Sequence, residues 1–282
     1  MSEVPQVSVV VVTRNRAERL RATIEHVLRD PYPNREIVVV DGASTDHTVE
    51  VLKSFGDKVR WISEPDSGEY DAWNKANRMV NGEILKWLPD DDRLVVGATQ
   101  IAVDYFLRHP DVDILFGQAR VWEERNGERV LIDQTQMTDA SRLTARNFLR
   151  QTHGLNSVAQ FARRRVVAKA GPLATDFACG DTEFWARAAK RGLKMAVVPD
   201  VFADYLFTGV NDSITRNWRI SFDLVRANVR HGATSDVAYT VWTRRTSLLG
   251  VPMAMHELGQ LSHRYGFHPL RTLRKWRAAV TG

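Results

Sequence analysis

Residues 7–15 read Val7-Ser8-Val9-Val10-Val11-Val12-Thr13-Arg14-Asn15. An unbroken β-branched run with no polar alternation predicts a strand over 7–12, buried on both faces as in a parallel sheet. Residues 16–29 follow with Leu20, Ile24, Val27 and Leu28 at helical spacing, and Pro31 and Pro33 end that pattern. A second apolar run, 36–40, ends at Asp41-Gly42, after which Ser44 or Thr45 is expected to cap a helix reaching Ser54. Strands at 58–63 and 83–88 flank a helix from Tyr70 to Val80. Strands alternating with helices over short connections predict an α/β fold: a Rossmann-like, doubly wound, mostly parallel sheet.

Beyond Asp92 a helix is expected at 97–108, and strands at 112–121 and 129–133 about an Asn126-Gly127 turn. Residues 139–170 read as mixed and polar with helical stretches. A helix at 181–191 stops at Gly192, and a strand at 194–198 stops at Pro199. The remainder reads as helical over 217–231, 236–265 and 269–280. Residues 1–215 are therefore expected to form the main domain and 216–282 a helical extension.

The chain has 282 residues, 44% hydrophobic and 26% charged, which excludes disordered and low-complexity classes. Cys179 is the lone cysteine, so no disulfide framework can form within the chain. No apolar run approaches the roughly 18 residues of a spanning helix, and no secretory leader is visible. A cytoplasmic protein is expected, placed at the inner face of a membrane by its tail. Of 39 Lys and Arg residues, 11 fall in 211–282 beside 4 acidic ones, leaving 28 against 30 in 1–210. The basic tail carries Trp242, Arg244, Arg245, Arg264, Arg271, Arg274, Lys275, Trp276 and Arg277. Arginine with tryptophan fits peripheral contact with a membrane interface.

In an open α/β sheet, ligands bind outside the carboxyl ends of the strands. There the first strand ends in Thr13-Arg14-Asn15, the second in Asp41-Gly42-Ala43-Ser44-Thr45-Asp46, and the fourth in Pro89-Asp90-Asp91-Asp92. Three consecutive carboxylates repel one another unless a cation compensates, and a hard divalent ion shared with a substrate phosphate would do so. Asp71, Asn74 and Lys75 fall on one helical face by their i, i+3, i+4 spacing. Trp73, in the same helix, is expected to pack inward.

These stretches, together with Asp66-Ser67-Gly68-Glu69-Tyr70-Asp71-Ala72-Trp73-Asn74-Lys75-Ala76 and Gly82-Glu83-Ile84-Leu85-Lys86-Trp87-Leu88-Pro89-Asp90-Asp91-Asp92, resemble family 2 glycosyltransferases with the GT-A fold. That group builds bacterial polysaccharides and glycolipids. The resemblance runs over roughly residues 5–215, and it implies a metal-dependent, inverting transfer from a nucleotide diphosphate sugar, UDP-linked, to a hydroxyl of a glycan or lipid-linked acceptor. It implies that Thr13, Arg14 and Asn15 line the nucleotide pocket and that Asp41 accepts from the base. Asp66, Gly68, Tyr70, Asp71, Asn74 and Lys75 would border the sugar nucleotide, with Asp90 and Asp91 near the ribose or a metal-bound water and Asp92 as the ligand of Mg2+ or Mn2+. Ser44 and Asp46 would support the loop.

The resemblance also assigns the catalytic base to the acidic residue that opens a later helix. In Phe177-Ala178-Cys179-Gly180-Asp181-Thr182-Glu183-Phe184-Trp185-Ala186-Arg187 that residue is Asp181, with Glu183 as second candidate. Helix capping is the plainer role for Asp181. His153, Gln160 and Glu183 are the acceptor-side candidates, and Gly209, Asn211 and Ser213 stand where relatives carry a diphosphate loop. A sugar-nucleotide nucleotidyltransferase is the competing enzyme reading, but Thr13-Arg14-Asn15-Arg16 lacks the glycines it needs. A nucleic-acid-binding module using the tail is the non-enzymatic one, and no helix-turn-helix, zinc or RNP signature supports it.

Overall fold

The computed structural model describes residues 4–125, 127–207 and 217–232, with Asp236, Val237 and Thr240. The first half alternates as the sequence predicts: β1 (Val7–Thr13), α1 (Ala17–Leu28), β2 (Arg35–Asp41), α2 (Thr48–Ser54), β3 (Arg60–Ser63), α3 (Glu69–Met79) and β4 (Ile84–Trp87). Then come β5 (Arg93–Leu94), α4 (Ala98–Arg108), β6 (Ile114–Arg125), β7 (Glu128–Gln134), α5 (Ala145–Arg150), β8 (Gln160–Arg163), α6 (Arg165–Ala170), α7 (Gly180–Lys190), β9 (Met195–Phe207) and α8 (Asn217–Arg230).

One mixed sheet runs β3-β2-β1-β4-β8-β6-β9-β5, with β7 also paired to β6. Strands β3, β2, β1 and β4 are parallel, with Val9 opposite Ile37 on one side and Lys86 on the other. The valine run divides between two cores. Val7, Val9 and Val11 pack with Leu20, Ile24 and Val27 of α1 and with Ala102 and Phe106 of α4. Val10 and Val12 pack with Ala72, Trp73 and Ala76 of α3 and with Phe184 and Trp185 of α7. Successive strand side chains point to opposite faces, so a strand covered by helices on both sides must be apolar at every position. Burying each valine contributes about 1.5–3 kcal/mol.

Three local expectations change. Neither Ser44 nor Thr45 caps α2. Ser44 is engaged by Asp41, and Asp46 Oδ1 instead accepts the Thr48 N–H at 3.0 Å and the Thr48 hydroxyl at 2.5 Å. The strand expected to stop at Pro199 continues to Phe207. Pro199 lies where the β6–β9 register shifts, and a bulge is where a sheet tolerates proline. The polar stretch before 170 contains β8, which runs antiparallel between β4 and β6. Strands β6 and β7 form the expected hairpin, Arg125 pairing with Glu128.

Helix α8 packs back on the main body. Asp223 Oδ2 accepts the Ala178 N–H at 2.6 Å and Arg226 pairs with Asp176 at 2.7 Å; beyond the helix, Asp236 meets Arg146 of α5 at 3.0 Å. Among the described residues no helix is long and apolar enough to cross a membrane. Apart from Asp236, Val237 and Thr240, the expected helices at 236–265 and 269–280 lie outside the described residues, as do all the tail arginines and tryptophans from Trp242 onward.

Candidate active site

The loops leaving β1 and β2 are stitched together. Ser44 Oγ accepts the Asn15 N–H at 2.7 Å, and Asn15 Oδ1 accepts the Thr45 N–H at 2.7 Å. Asn15 holds a left-handed φ of 54°, a conformation its short polar side chain tolerates. Asp41 lies fully buried beneath this junction. It accepts the Ser44 N–H at 3.0 Å, the Ser63 hydroxyl at 2.6 Å and the Ser44 hydroxyl. Gly42 permits a close approach: a Cβ there would lie 2.4 Å from Asp66 Oδ2 and 3.3 Å from Arg14 Cδ.

The acidic triplet follows β4. Thr13 Oγ1 donates to Asp90 Oδ2 at 2.6 Å, and Arg16 Nη1 donates to Asp90 Oδ1 at 2.9 Å. Burial nevertheless raises the Asp90 carboxyl above its ordinary range, outweighing Arg16 and Thr13. Asp92 is raised further, by burial and then by the adjacent Asp91 charge, although its Oδ1 accepts the Leu206 N–H at 3.0 Å. Thr23 Oγ1 donates to the carbonyls of both Asp90 and Asp92, fixing the turn. Asp91 is the most open of the three where side-chain exposures are compared with Asp90, 13% against 4%. It meets Arg16 at 3.4 Å and Arg19 at 3.6 Å.

The other wall is built by α3 and α7. Gly68 begins α3 at φ 131°, and its N–H is accepted by Asp66 Oδ1 at 2.9 Å. Tyr70 Oη donates to Asp181 Oδ1 at 3.3 Å. Burial, then the Asp181 charge, pushes the Tyr70 phenol well above its usual value, so it remains a donor. This approach needs Gly180, where a Cβ would lie 2.8 Å from Tyr70 Cδ2 and 2.9 Å from the Ala174 carbonyl. The N-cap of α7 is Cys179, so Asp181 is not the cap; it lies in the first turn, where a helix favours negative charge.

These parts open onto one cleft of about 970 Å³. Of the predicted residues, Thr13, Arg14, Asp66, Gly68, Tyr70, Asp90, Asp91, Asp92, Gln160 and Asp181 line it. The acidic triplet and Asp181, far apart in sequence, therefore share a single cavity. Sequence reasoning missed Tyr205 of β9 and Arg219, Phe222, Asp223 and Arg226 of α8, which also line it. The i, i+4, i+7 spacing of Arg219, Asp223 and Arg226, which puts three charged residues on one helical face, was the available signal.

Several predicted residues stand outside the lining. Asn15 and Asp41 hold the loops described above. Asp71 accepts the Ser67 N–H at 3.0 Å, Asn74 exchanges two hydrogen bonds with the Leu173 backbone at 2.8 and 2.9 Å, and Lys75 donates to the Pro65 carbonyl at 2.6 Å. Asn74 is buried, Asp71 and Lys75 remain partly exposed outside the cleft, and Ala72 and Trp73 of the same helix line it instead. Glu183 is buried between Arg187, at 2.8 Å, and His231, at 3.0 Å. Burial would raise its carboxyl, but the bonds from His231 and Arg187 prevail and hold it below the usual range. His153 stacks on Phe148 with centroids 4.8 Å apart, its Nδ1 accepts the Leu155 N–H at 3.1 Å, and burial lowers its pKa. Gly209, Asn211 and Ser213 lie outside the described residues. Trp73 is buried, as expected, and donates to Glu69 Oε1 at 3.1 Å.

Among the described residues no three His, Cys, Asp or Glu side chains gather into a metal cage. Mg2+ and Mn2+ do not require one, since they are commonly held by one or two carboxylates with substrate phosphates and water. Asp91, the most exposed of the three and part of the cleft lining, is a carboxylate that fits that donor chemistry.

Residues 8–171 match the family described as Glycosyl transferase family 2. An uncharacterized glycosyltransferase of Mycobacterium tuberculosis is 31% identical over 193 residues, 67% of this chain and 71% of that protein. A PGL/p-HBAD biosynthesis glycosyltransferase of Mycobacterium bovis is 31% identical over 118 residues, 40% of this chain. That match spans 46% of the relative's length. Among solved structures, S. aureus TarS 1-349 in complex with UDP-GlcNAc superposes with a TM-score of 0.65 at 16% identity, covering 84% of this chain and 71% of that one. The mannosyltransferase PcManGT of Pyrobaculum calidifontis, in complex with GDP-Man and Mn2+, gives 0.61 at 18% identity, covering 98% and 85%. The two structures establish the GT-A arrangement of the sheet, and the sequence match establishes kinship: the chain belongs to glycosyl transferase family 2.

Proposed function

We propose that this chain is an inverting glycosyltransferase that moves a sugar from a nucleoside diphosphate donor, UDP-linked, to an acceptor hydroxyl in polysaccharide or glycolipid synthesis. The observation that carries this reading is the single cleft joining Asp90, Asp91 and Asp92 to Asp181. The nucleoside lies by Thr13 and Arg14, with Asp41 shaping the loop beneath. The diphosphate lies by the acidic triplet, and the sugar extends toward Asp181. The UDP-GlcNAc and GDP-Man named for the two structural neighbours support this class of donor.

Asp181 takes the proton of the acceptor hydroxyl as its oxygen attacks the anomeric carbon. The bond from that carbon to the diphosphate oxygen breaks on the opposite face, which inverts the centre. A free hydroxyl is too weak an acid to ionise at neutral pH, so a positioned carboxylate contributes about 10²–10⁴-fold. Tyr70 holds that carboxylate by donating to Oδ1. Asp91 and Asp92 would hold Mg2+ or Mn2+, which supplies positive charge to the departing diphosphate. Residues 1–215 form the catalytic domain in this reading. The extension begins at 216, so α8 brings Arg219 and Arg226 to the cleft, and the basic tail contacts an anionic membrane surface.

A thermal-shift panel tests the reading with UDP, GDP and their sugars, each with Mn2+, with Mg2+ or with chelator. Ligands of the folded state raise its melting temperature. UDP and a UDP-sugar are expected to raise Tm, and chelator to shrink the rise. No shift with any nucleotide would reject the reading.

A further inference from the structure

Three consecutive residues that lead into α7 are gripped by α8. Asp176 Oδ2 accepts from Arg226 Nη2 at 2.7 Å and from Arg230 Nη2 at 2.9 Å, and the Asp176 carbonyl accepts from Arg226 Nη1 at 2.8 Å. Phe177 is buried beneath both guanidinium groups, whose central carbons lie 4.5 and 4.3 Å from its ring centroid. The Ala178 N–H is accepted by Asp223 Oδ2 at 2.6 Å. Just past α8, His231 meets Glu183 of α7 at 3.0 Å, and its carbonyl accepts from Lys190 Nζ at 2.9 Å. Helix α8 is thus fastened both to the entrance of α7 and to its body.

The Ala178 peptide joins Asp223 to Asp181. Its N–H goes to Asp223, and its carbonyl lies 3.4 Å from the Tyr70 phenol that donates to Asp181 Oδ1 at 3.3 Å. The one phenol hydrogen is shared between that carbonyl and the carboxylate. A shift of residue 178 therefore disturbs the hydrogen-bond partner of Asp181 as well as the start of its helix. Gly180, directly before Asp181, has no side chain to lock the turn, so the path there depends on what grips the segment from outside. Asp223 is only 6% exposed, and although it borders the cleft both its oxygens are engaged within the protein, Oδ1 accepting from Arg226 Nη1 at 2.8 Å. A buried carboxylate so engaged is placed to hold backbone rather than to meet a ligand.

We propose that Asp223 is a positioning residue for the proposed base: by holding the Ala178 N–H it fixes where α7 begins and aims the Asp181 carboxylate, with Tyr70, at the acceptor hydroxyl. Arg226 and Phe177 brace the same segment. Loss of Asp223 lowers turnover through Asp181 and leaves nucleotide affinity unchanged. This inference rests on the glycosyltransferase reading above.

The test is a mutant cycle on the full chain: wild type, Asp223→Ala, Asp223→Asn, Asp181→Asn, and Asp181→Asn with Asp223→Ala. Release of UDP from UDP-glucose, UDP-galactose and UDP-N-acetylglucosamine is followed with octyl glucoside or water as acceptor. Calorimetry gives each Kd for UDP, and hydrogen exchange reads the amides of residues 178–183. Asp223→Ala should lower kcat by about 10–100-fold, as a misplaced catalytic group does, with the Kd for UDP held within about twofold. Asp223→Asn keeps an acceptor for the Ala178 N–H and should restore turnover to within about fivefold of wild type. In the Asp181→Asn background, Asp223→Ala should cost less than about twofold, because the two residues act as one unit. An equal cost in both backgrounds, undiminished turnover in Asp223→Ala, or a weakened Kd that accounts for the lost rate would overturn the proposal. If Asp223→Ala does not fold, Phe177→Leu loosens the same segment without unpairing a buried polar group and enters the same cycle. If wild type binds UDP but turns over none of these sugars, exchange decides. Amides 178–183 that exchange faster by about tenfold or more in Asp223→Ala, and near the wild-type rate in Asp223→Asn, support the proposal; equal rates overturn it. A wild type that neither binds UDP nor releases it sinks the donor reading, and this inference with it.

Discussion

Tyr70 and Asp181 meet across the cleft, 111 residues apart in sequence, with the phenol donating to the carboxylate at 3.3 Å. The contact couples the start of α3 to the start of α7, which carries the proposed base. It exists because Gly180 leaves room for the ring.

Asp181→Asn retains the shape of the side chain and removes the proposed base. We expect transfer to fall by about 10²–10⁴-fold while the Kd for UDP, measured by calorimetry, changes less than twofold. Near-normal turnover in this variant would exclude Asp181 as the base.

Gly180→Ala inserts a methyl group 2.8 Å from Tyr70 Cδ2 and 2.9 Å from a carbonyl oxygen. Overpacking of this kind costs about 1–3 kcal/mol, read by urea denaturation. The displaced tyrosine should also lower kcat. Tyr70→Phe removes the hydrogen bond without the clash, and should lower kcat with little change in stability.

Asp91→Asn should lessen the gain in UDP affinity produced by Mn2+. Calorimetry with and without the metal reads this as a smaller ratio of the two Kd values than in wild type. Wild type in chelator should resemble the variant in Mn2+.

Glu183 is held below the ordinary glutamate range by His231 and Arg187, against the opposing effect of burial. Its ionised form is thus favoured more in the folded chain than in the unfolded one. The stability it contributes is complete above the unfolded pKa and is lost as pH falls through the lower folded value. Glu183→Gln should destabilise at pH 7.5 by about 1–3 kcal/mol, and the gap to wild type should close below about pH 4. A gap independent of pH would place the effect in packing instead.

Much of the sheet was legible because its central strands are buried on both faces and so carry unbroken apolar runs, as in Val9–Val12 and Ile37–Val40. β8 was not. Four residues including Gln160 and Arg163 carry no strand signal of their own and are made a strand by β4 and β6 on either side. The carboxyl-edge rule located Thr13 and the acidic triplet. Helical spacing grouped Asp71, Asn74 and Lys75 correctly on one face, but spacing cannot say which face meets the cleft. The side turned inward carries Ala72 and Trp73, and Asn74 is used to hold the Leu173 backbone. Asp41 illustrates a second limit: its strand-end position was readable, whereas its enclosure by Ser44 and Ser63 depends on tertiary packing.

The most direct measurement is a diffraction structure of the chain with Mn2+ and a non-hydrolysable UDP-sugar. The predicted result has the uridine beside Thr13 and Arg14, the metal and diphosphate against Asp91 and Asp92, and the anomeric carbon facing Asp181. A nucleotide bound outside this cleft, or one whose sugar points away from Asp181, would contradict it.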